Sequence, residues 1–143
     1  MAGDEGIQRA IAAFEATQEA FLGGDAGPTA ALWSRRDDVT IFGGWGAYER
    51  GWGAVGPRLA WAAGRFAGGA VAYEPLAAGA SGDLGYAIGL ERGEARVAGG
   101  AEPRPLVLRV THLFRREAGA WKLIHRHADP LPAKTAPEEI LQR

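Results

Sequence analysis

The chain has 143 residues, a formal net charge of −1 and a pI near 6.3, and 47% of its residues are apolar. This length suits one domain, and the balance of apolar and charged residues predicts a folded chain. The absence of cysteine excludes disulfides, thiolate metal sites and cysteine nucleophiles, and it favours a reducing compartment. Because Lys and Arg are scattered among Asp and Glu, we expect no nucleic-acid partner.

Neither a membrane span nor an export signal is expected. No apolar run approaches the ~20 residues that a membrane-spanning helix needs. Asp4 and Glu5 lie where a signal peptide would carry Lys or Arg. We therefore expect a cytoplasmic protein without a membrane partner.

Three segments in the first half predict helices. The first has apolar residues near helical spacing and ends at Gly23-Gly24; these residues are Ile7, Ile11, Phe14, Phe21 and Leu22. Asp25 is placed to cap a second, short helix that has Pro28 in its first turn. The third begins near Gly56-Pro57, ends at Gly68-Gly69 and carries an apolar stripe of Val55, Leu59, Ala62 and Phe66.

Strands dominate the rest of the chain. A short strand is predicted at residues 39–42, before a glycine-rich loop at residues 43–46. Alternating apolar residues predict strands around Val71 and Tyr73 and again at residues 84–90. Residues 92–104 are predicted to be a mobile connection or loose hairpin tip. Two further strands follow at residues 105–116 and 120–128, and residues 131–143 form an extended or flexible tail after a domain of residues 1–130.

The turn between the last two strands predicts their register. A three-residue loop, residues 117–119 with Gly119 in the left-handed conformation, would pair Arg116 with Ala120. Thr111 then lies opposite His125, and Arg109 lies opposite His127. By the two-residue period of a strand, one face is predicted to carry a polar group together with Trp121 and Leu123; its polar members are Arg109, Thr111, His125, His127 and Asp129.

The order of elements and the final hairpin resemble a known family. The residues that carry the likeness are the segments 108–111 and 115–116, Gly119 and the block Trp121 to Asp129, together with Phe42-Gly43-Gly44 after the first strand. The chain resembles the SnoaL-like, ketosteroid-isomerase-like branch of the nuclear-transport-factor-2-like superfamily. This resemblance implies an α+β fold, in which a cone-shaped, curved antiparallel sheet wraps around three N-terminal helices and leaves a pocket open at one end.

The resemblance also implies a homodimer through the outer face of the sheet. In the family the concave face lines the pocket, so the polar face of the hairpin is assigned to the pocket. Leu108, Val110 and Ile124 are assigned to the outer, dimer-forming face. A small hydrophobic or flat carbonyl-type ligand is the expected partner, and no cofactor motif is present.

Acid–base catalysis is the chemistry that this polar face predicts. His127 paired with Asp129, with His125 beside them, could exchange a proton near neutral pH. Arg109 and Thr111 would bind the substrate, and Arg109 would stabilise an enolate or a carboxylate. Glu49 and Glu91 are the other carboxylates that could reach the cavity. A metal at His125, His127 and Asp129 would lack a further ligand, so we expect none.

Aromatic residues predict the wall of the pocket. Trp33, Trp61 and Phe66 are expected in the core, whereas four others are expected to contact the ligand: Trp45, Tyr48, Trp52 and Tyr86. Ketosteroid isomerases of this family have an Asp base after the first strand, where this chain has Phe42-Gly43-Gly44, so steroid isomerisation is not expected. The sequence thus predicts a cofactor-independent isomerase, cyclase or dehydratase, with a non-catalytic binding protein or a dimeric assembly domain as the alternatives.

Overall fold

The computed structural model describes residues 2–130 and 132–142, with the side chains of residues 2–4 left out. Within these ranges the chain forms four α-helices, six strands and one 3-10 turn. The helices are α1 (Ala2–Glu15), α2 (Gln18–Leu22), α3 (Gly27–Ala31) and α4 (Trp52–Ala63). The strands are β1 (Thr40–Phe42), β2 (Glu49–Arg50), β3 (Phe66–Ser81), β4 (Leu84–Val97), β5 (Arg104–Glu117) and β6 (Ala120–Asp129).

All six strands belong to one sheet, in the order β2-β1-β6-β5-β4-β3. The pairs β3–β4, β4–β5 and β5–β6 are antiparallel, but β1 runs parallel to β6. The helices pack on one side of this sheet, where the core lies. The predicted α+β class is therefore confirmed, and the sheet is mixed rather than wholly antiparallel.

Several predicted boundaries of helices and strands differ from those in the structure. The first predicted helix is two helices, α1 and α2, separated by a turn at residues 16–17. Helix α4 begins at Trp52 and ends at Ala63, so Phe66 and Gly68-Gly69 belong to β3 instead. Gly68 and Gly69 have positive φ at an irregularity of this strand. About half of the predicted connection at residues 92–104 is regular strand, because β4 continues to Val97 and β5 begins at Arg104.

The hydrophobic core joins α1 to the inner face of the sheet. Its largest buried side chains include Ile7, Phe14 and Trp33, which pack with Phe114 and Leu123 of the last two strands. The prediction of a core position is confirmed for Trp33, whereas Trp61 is 38% exposed. Among the described residues, no helix is both long enough and apolar enough to cross a membrane.

The predicted register of the last hairpin was wrong. Glu117 pairs with Ala120, so the turn has two residues, Ala118 and Gly119, with φ of 50° and 82°. Two positive φ values define the turn type that best matches the twist of a hairpin. The preference for that twist outweighs the steric cost of placing Ala118 in the left-handed region.

A β-bulge at Ile124 then shifts the register again. Phe114 pairs with Leu123, but Leu113 pairs with His125, so Ile124 has no partner on β5. On its other side β6 changes neighbour at the same place: Leu123 bridges to Trp33, whereas His125 pairs with Thr40 of β1. Residues before and after the bulge therefore alternate out of phase.

The bulge decides which side chains face the helices. Leu123 is fully buried on the inner face, and after the bulge Arg126 and Ala128 continue that face. His125, His127 and Asp129 lie on the outer face, opposite Leu113, Thr111 and Arg109. The five predicted polar residues do share one face, but it is the outer one and it excludes Trp121 and Leu123.

Ala118 provides a test of the turn. Replacing Ala118 by Asn should raise the free energy of unfolding by about 1 kcal/mol, because Asn tolerates the left-handed conformation better than Ala. Chemical denaturation measures this change. Ala101→Asn, in a loop position without a positive φ, should give no gain. An Ala118→Asn variant no more stable than the wild type would contradict the two-residue turn.

Candidate functional site

A cavity of about 290 Å³ lies between the helices and the inner face of the sheet. Its walls are mostly apolar and aromatic, and they include Phe14, Phe21, Trp45, Phe66, Leu106 and Leu108. Its charged lining residues are Arg58, Glu91 and Arg126. An apolar cavity with a few polar groups is the usual form of a small-molecule site, and this volume suits a small ligand.

Glu91 and Arg126 form a buried ion pair at this cavity. The two guanidinium nitrogens Nη1 and Nη2 of Arg126 each donate to one carboxylate oxygen of Glu91, both at 2.9 Å. The Glu91 side chain is 1% exposed and that of Arg126 is 13% exposed. Burial opposes ionisation of Glu91, but the charge and hydrogen bonds of Arg126 outweigh it and lower the pKa of this carboxyl.

Strand pairing brings two more polar groups to the same place. His112 is the cross-strand partner of Arg126, and its Nε2 lies 2.8 Å from Nη1 of Arg126. Tyr73 is the cross-strand partner of Glu91. Arg126 can only donate, so Nε2 of His112 accepts and the ring proton resides on Nδ1. Burial and the Arg126 charge lower the pKa of His112 to about 3, so this ring is neutral.

Glu15, the last residue of α1, completes the group. Burial raises the pKa of Glu15 to about 9, and the neighbouring Glu91 charge and a hydrogen bond between the two carboxyls act in the same direction. Glu15 therefore keeps its proton at neutral pH. We call Glu15, Tyr73, Glu91, His112 and Arg126 the inner polar cluster.

Three polar atoms of the inner polar cluster are buried without a hydrogen-bond partner. They are Oε2 of Glu15, the hydroxyl of Tyr73 and Nδ1 of His112. Burial and the nearby Glu91 and Glu15 carboxyls raise the pKa of Tyr73 to about 12, so its hydroxyl is protonated. Buried polar atoms almost always have partners, so three together indicate a place where a ligand or water supplies the missing bonds.

Glu15, Glu91 and His112 could also be considered as metal ligands. One ligand atom from each lies within 4.8 Å of the other two. However, the guanidinium of Arg126 bonds both oxygens of Glu91 and lies against Nε2 of His112. A cation would have to displace this guanidinium and its positive charge, so the donor set does not fit a metal ion.

The predicted catalytic residues lie elsewhere, at the outer face. His127 and Asp129 line a shallow depression with Phe42, Tyr48 and the loop between β1 and β2. Nε2 of His127 lies 3.3 Å from Oδ2 of Asp129, and Arg109 donates to both oxygens of Asp129 at 2.7 and 2.9 Å. The pairing of His127 with Asp129 is therefore present, but not within the cavity.

His125 and Thr111 also occupy the outer face. Nδ1 of His125 lies 2.7 Å from the hydroxyl of Thr40, and its ring packs edge-on against Phe42. Burial and the neighbouring His127 lower the pKa of His125. Thr111 is the cross-strand partner of His127. The assignment of these side chains to the inner face was wrong, because the bulge at Ile124 reverses the face on which the histidines lie.

The four aromatic residues predicted to contact a ligand lie in different parts of the structure. Trp45 lines the cavity, and Tyr48 lines the outer depression. Trp52 packs against Trp33 and lies under the guanidinium of Arg35, away from the cavity lining. Tyr86 lies on the outer face, where it is 41% exposed.

From the sequence, Glu91 is a carboxylate that could reach the cavity, but its partners there are not predicted. Arg126 and His112 are expected on the outer face, and Glu15 and Tyr73 carry no functional prediction. A signal for Glu15 exists: it follows Ile7 and Ile11 at four-residue intervals, on the helix face that packs on the sheet. Glu49, the other candidate carboxylate, lies on β2 at the sheet edge.

Comparison with known proteins agrees with this fold. Residues 10–132 match the family model of the SnoaL-like domain. The chain therefore belongs to the SnoaL-like domain family, as its final hairpin predicted. No curated protein matches the sequence.

Solved structures of related fold cover almost the whole chain. A nuclear-transport-factor-2-like superfamily protein from Salmonella enterica has a TM-score of 0.78 and 18% identity, with 94% of each chain covered. A proposed dehydratase of the same family from Streptomyces avermitilis has a TM-score of 0.75 and 22% identity, covering 90% of this chain and 96% of that one. A ketosteroid isomerase-like protein from Erwinia carotovora atroseptica has a TM-score of 0.72 and 19% identity, with the same coverage. These likenesses show the fold.

The proton on Glu15 predicts a specific pH dependence of stability. The ordinary pKa of a Glu carboxyl is 4.5, and that of Glu15 in the folded chain is about 9. Between these two pH values the folded chain keeps a proton that the unfolded chain releases. The stability linked to this proton is complete below pH 4.5 and is lost as the pH rises through about 9. Glu15→Gln, which is neutral at every pH, should therefore gain stability relative to the wild type between pH 5 and pH 9.

Urea denaturation across this pH range measures the difference. Glu19→Gln, at an exposed position of α2, is the matched control and should follow the wild type. A stability difference between Glu15→Gln and the wild type that does not change with pH would show that Glu15 is ionised in the folded protein.

Proposed function

We propose that the chain is a cofactor-independent enzyme that moves a proton next to the carbonyl group of a small, flat or apolar compound. The reaction class is that of an isomerase, a cyclase or a dehydratase. The observation that carries this proposal is the inner polar cluster, in which Glu91 and Arg126 line an otherwise apolar cavity and the protonated carboxylic acid of Glu15 adjoins Glu91. Membership of the SnoaL-like family supports it.

The cluster supplies the groups that enolisation needs. Glu15 donates its proton to the carbonyl oxygen, and the carboxylate so formed takes a proton from the adjacent carbon. The two transfers leave Glu15 in its starting state and convert the ketone to its enol. The nearby charge of Arg126 favours the transient carboxylate of Glu15.

The other members of the cluster hold this arrangement. The Glu91 carboxylate is fixed by two hydrogen bonds from Arg126, and its charge adds to the effect of burial in keeping the proton on Glu15. The hydroxyl of Tyr73 and Nδ1 of His112 are donors that could bond to a substrate oxygen.

Hydrogen–deuterium exchange tests this proposal without knowledge of the natural substrate. In D₂O, NMR should show that the protein speeds deuterium incorporation next to the carbonyl of small cyclic or aryl ketones. Glu15→Gln should slow this exchange about 100-fold or more, because general acid–base groups contribute about 10²–10⁴ in rate. Glu19→Gln should exchange at the wild-type rate.

The same assay separates the two alternatives. Ligand binding in the cavity without exchange would support a non-catalytic binding protein instead. The pair of His127 and Asp129 also remains a proposal for the acid–base unit, with Arg109 bonded to the same carboxylate. Loss of exchange in His127→Gln and Asp129→Asn, with full exchange in Glu15→Gln, would move the reaction to the outer depression.

We also propose that the protein is a homodimer through the outer face of the sheet, in a cytoplasmic setting. Of the three residues first assigned to this contact, Leu108 and Val110 face the helices, and Ile124 is partly buried against the core. The outer face carries other apolar side chains that are 39–58% exposed, namely Leu84, Tyr86, Ile88 and Leu113. Exposed apolar groups on adjacent strands are typical of an association surface.

Light scattering with size-exclusion chromatography measures the oligomeric state. The wild type should have twice the mass of one chain, and the double variant Ile88→Glu/Leu113→Glu should have the mass of a single chain. Leu76→Glu changes a 68% exposed residue of β3 and is the matched control, expected to remain dimeric. A monomeric wild type would refute the dimer.

A further inference from the structure

Arg58 is a second cation at the cavity and takes no part in the inner polar cluster. It lies on α4 and is one of the residues that line the cavity. Its guanidinium carbon lies 3.9 Å from the centre of the Trp61 ring. The aromatic face holds the guanidinium by a cation–π contact, which leaves its N–H groups able to bond an anion.

The charges of the cavity do not balance without a ligand. Among the described lining residues, the ionisable side chains are Arg58, Glu91 and Arg126. Arg126 and Glu91 neutralise one another through two hydrogen bonds. The charge of Arg58 is therefore left over on a wall that is otherwise apolar, and an anionic group on the ligand would complement it.

The aromatic surroundings of Arg58 indicate the rest of the ligand. Trp45 packs edge-on against Trp61 and at a tilt against Phe66, with ring centres 5.4 Å apart in both cases. Trp45 and Phe66 themselves line the cavity. Flat side chains of this kind stack well on a planar ligand.

We propose that the cavity binds a small planar carboxylate, with its flat body against Trp45 and Phe66 and its carboxylate paired with Arg58. This assignment rests on the proposed function for the reacting end of the ligand, which meets the inner polar cluster. The substrate class is then an aryl or unsaturated carbonyl compound that also carries a carboxylate.

A matched pair of probes tests the charge preference by binding alone. Cinnamate and cinnamamide have the same flat body, but only cinnamate is anionic at neutral pH. Titration followed by protein NMR should show that the wild type binds cinnamate at least tenfold more tightly than cinnamamide. Arg58→Gln should remove this preference by weakening cinnamate binding while leaving cinnamamide binding unchanged.

Arg65→Gln provides the control, because Arg65 also approaches the Trp61 ring, at 5.0 Å, but is not a lining residue. It should keep the preference for cinnamate. The proposal would be overturned if the wild type binds the two probes equally or binds neither of them. It would also be overturned if Arg58→Gln and Arg65→Gln lose the preference for cinnamate to the same extent. A preserved preference for cinnamate without deuterium exchange would instead refute the proposed catalysis and leave the carboxylate site standing.

Discussion

The ion pair between Glu91 and Arg126 is the constraint around which the inner site is arranged. Two charges buried in a protein are tolerated only when they bond one another with good geometry, and removing one partner costs about 3–5 kcal/mol. Here both hydrogen bonds are 2.9 Å long and connect β4 to β6 across the intervening β5. The pair therefore fixes the two strands relative to one another and sets the electrostatic field at one end of the cavity.

The properties of the neighbouring groups follow from that field. Arg126 keeps Glu91 ionised, and the Glu91 charge together with burial keeps Glu15 protonated. Burial and the charge of the same guanidinium, which donates to His112, hold the His112 ring neutral. A carboxylic acid, a neutral imidazole and a phenol thus lie beside the ion pair, which itself lines the apolar cavity. Arg58, outside this balanced group, gives the cavity its unmatched positive charge.

The fold could largely be predicted from the sequence, because it depends on local patterns. Helical spacing in the first half and two-residue alternation in the second gave the α+β class, and the block from Trp121 to Asp129 gave the family. Alternation also placed Arg109, Thr111, His125, His127 and Asp129 on one face correctly. The predicted turn was one residue too long, and the bulge was not predicted. Each error shifts the register by one residue, so the two together left these five residues on one face.

The site depended on features that no local pattern contains. Only the tertiary structure decided that the histidine-bearing face points outward, because the bulge at Ile124 forms where β6 changes its neighbour from residues 32–34 to β1. Likewise, Glu15 meets Glu91 only after α1 packs on the sheet, 76 positions apart in the chain. The sequence by itself determined the elements, the family and the polar residue types. Which of them became buried, paired and protonated was decided by packing, since burial and neighbouring charge are properties of the folded chain.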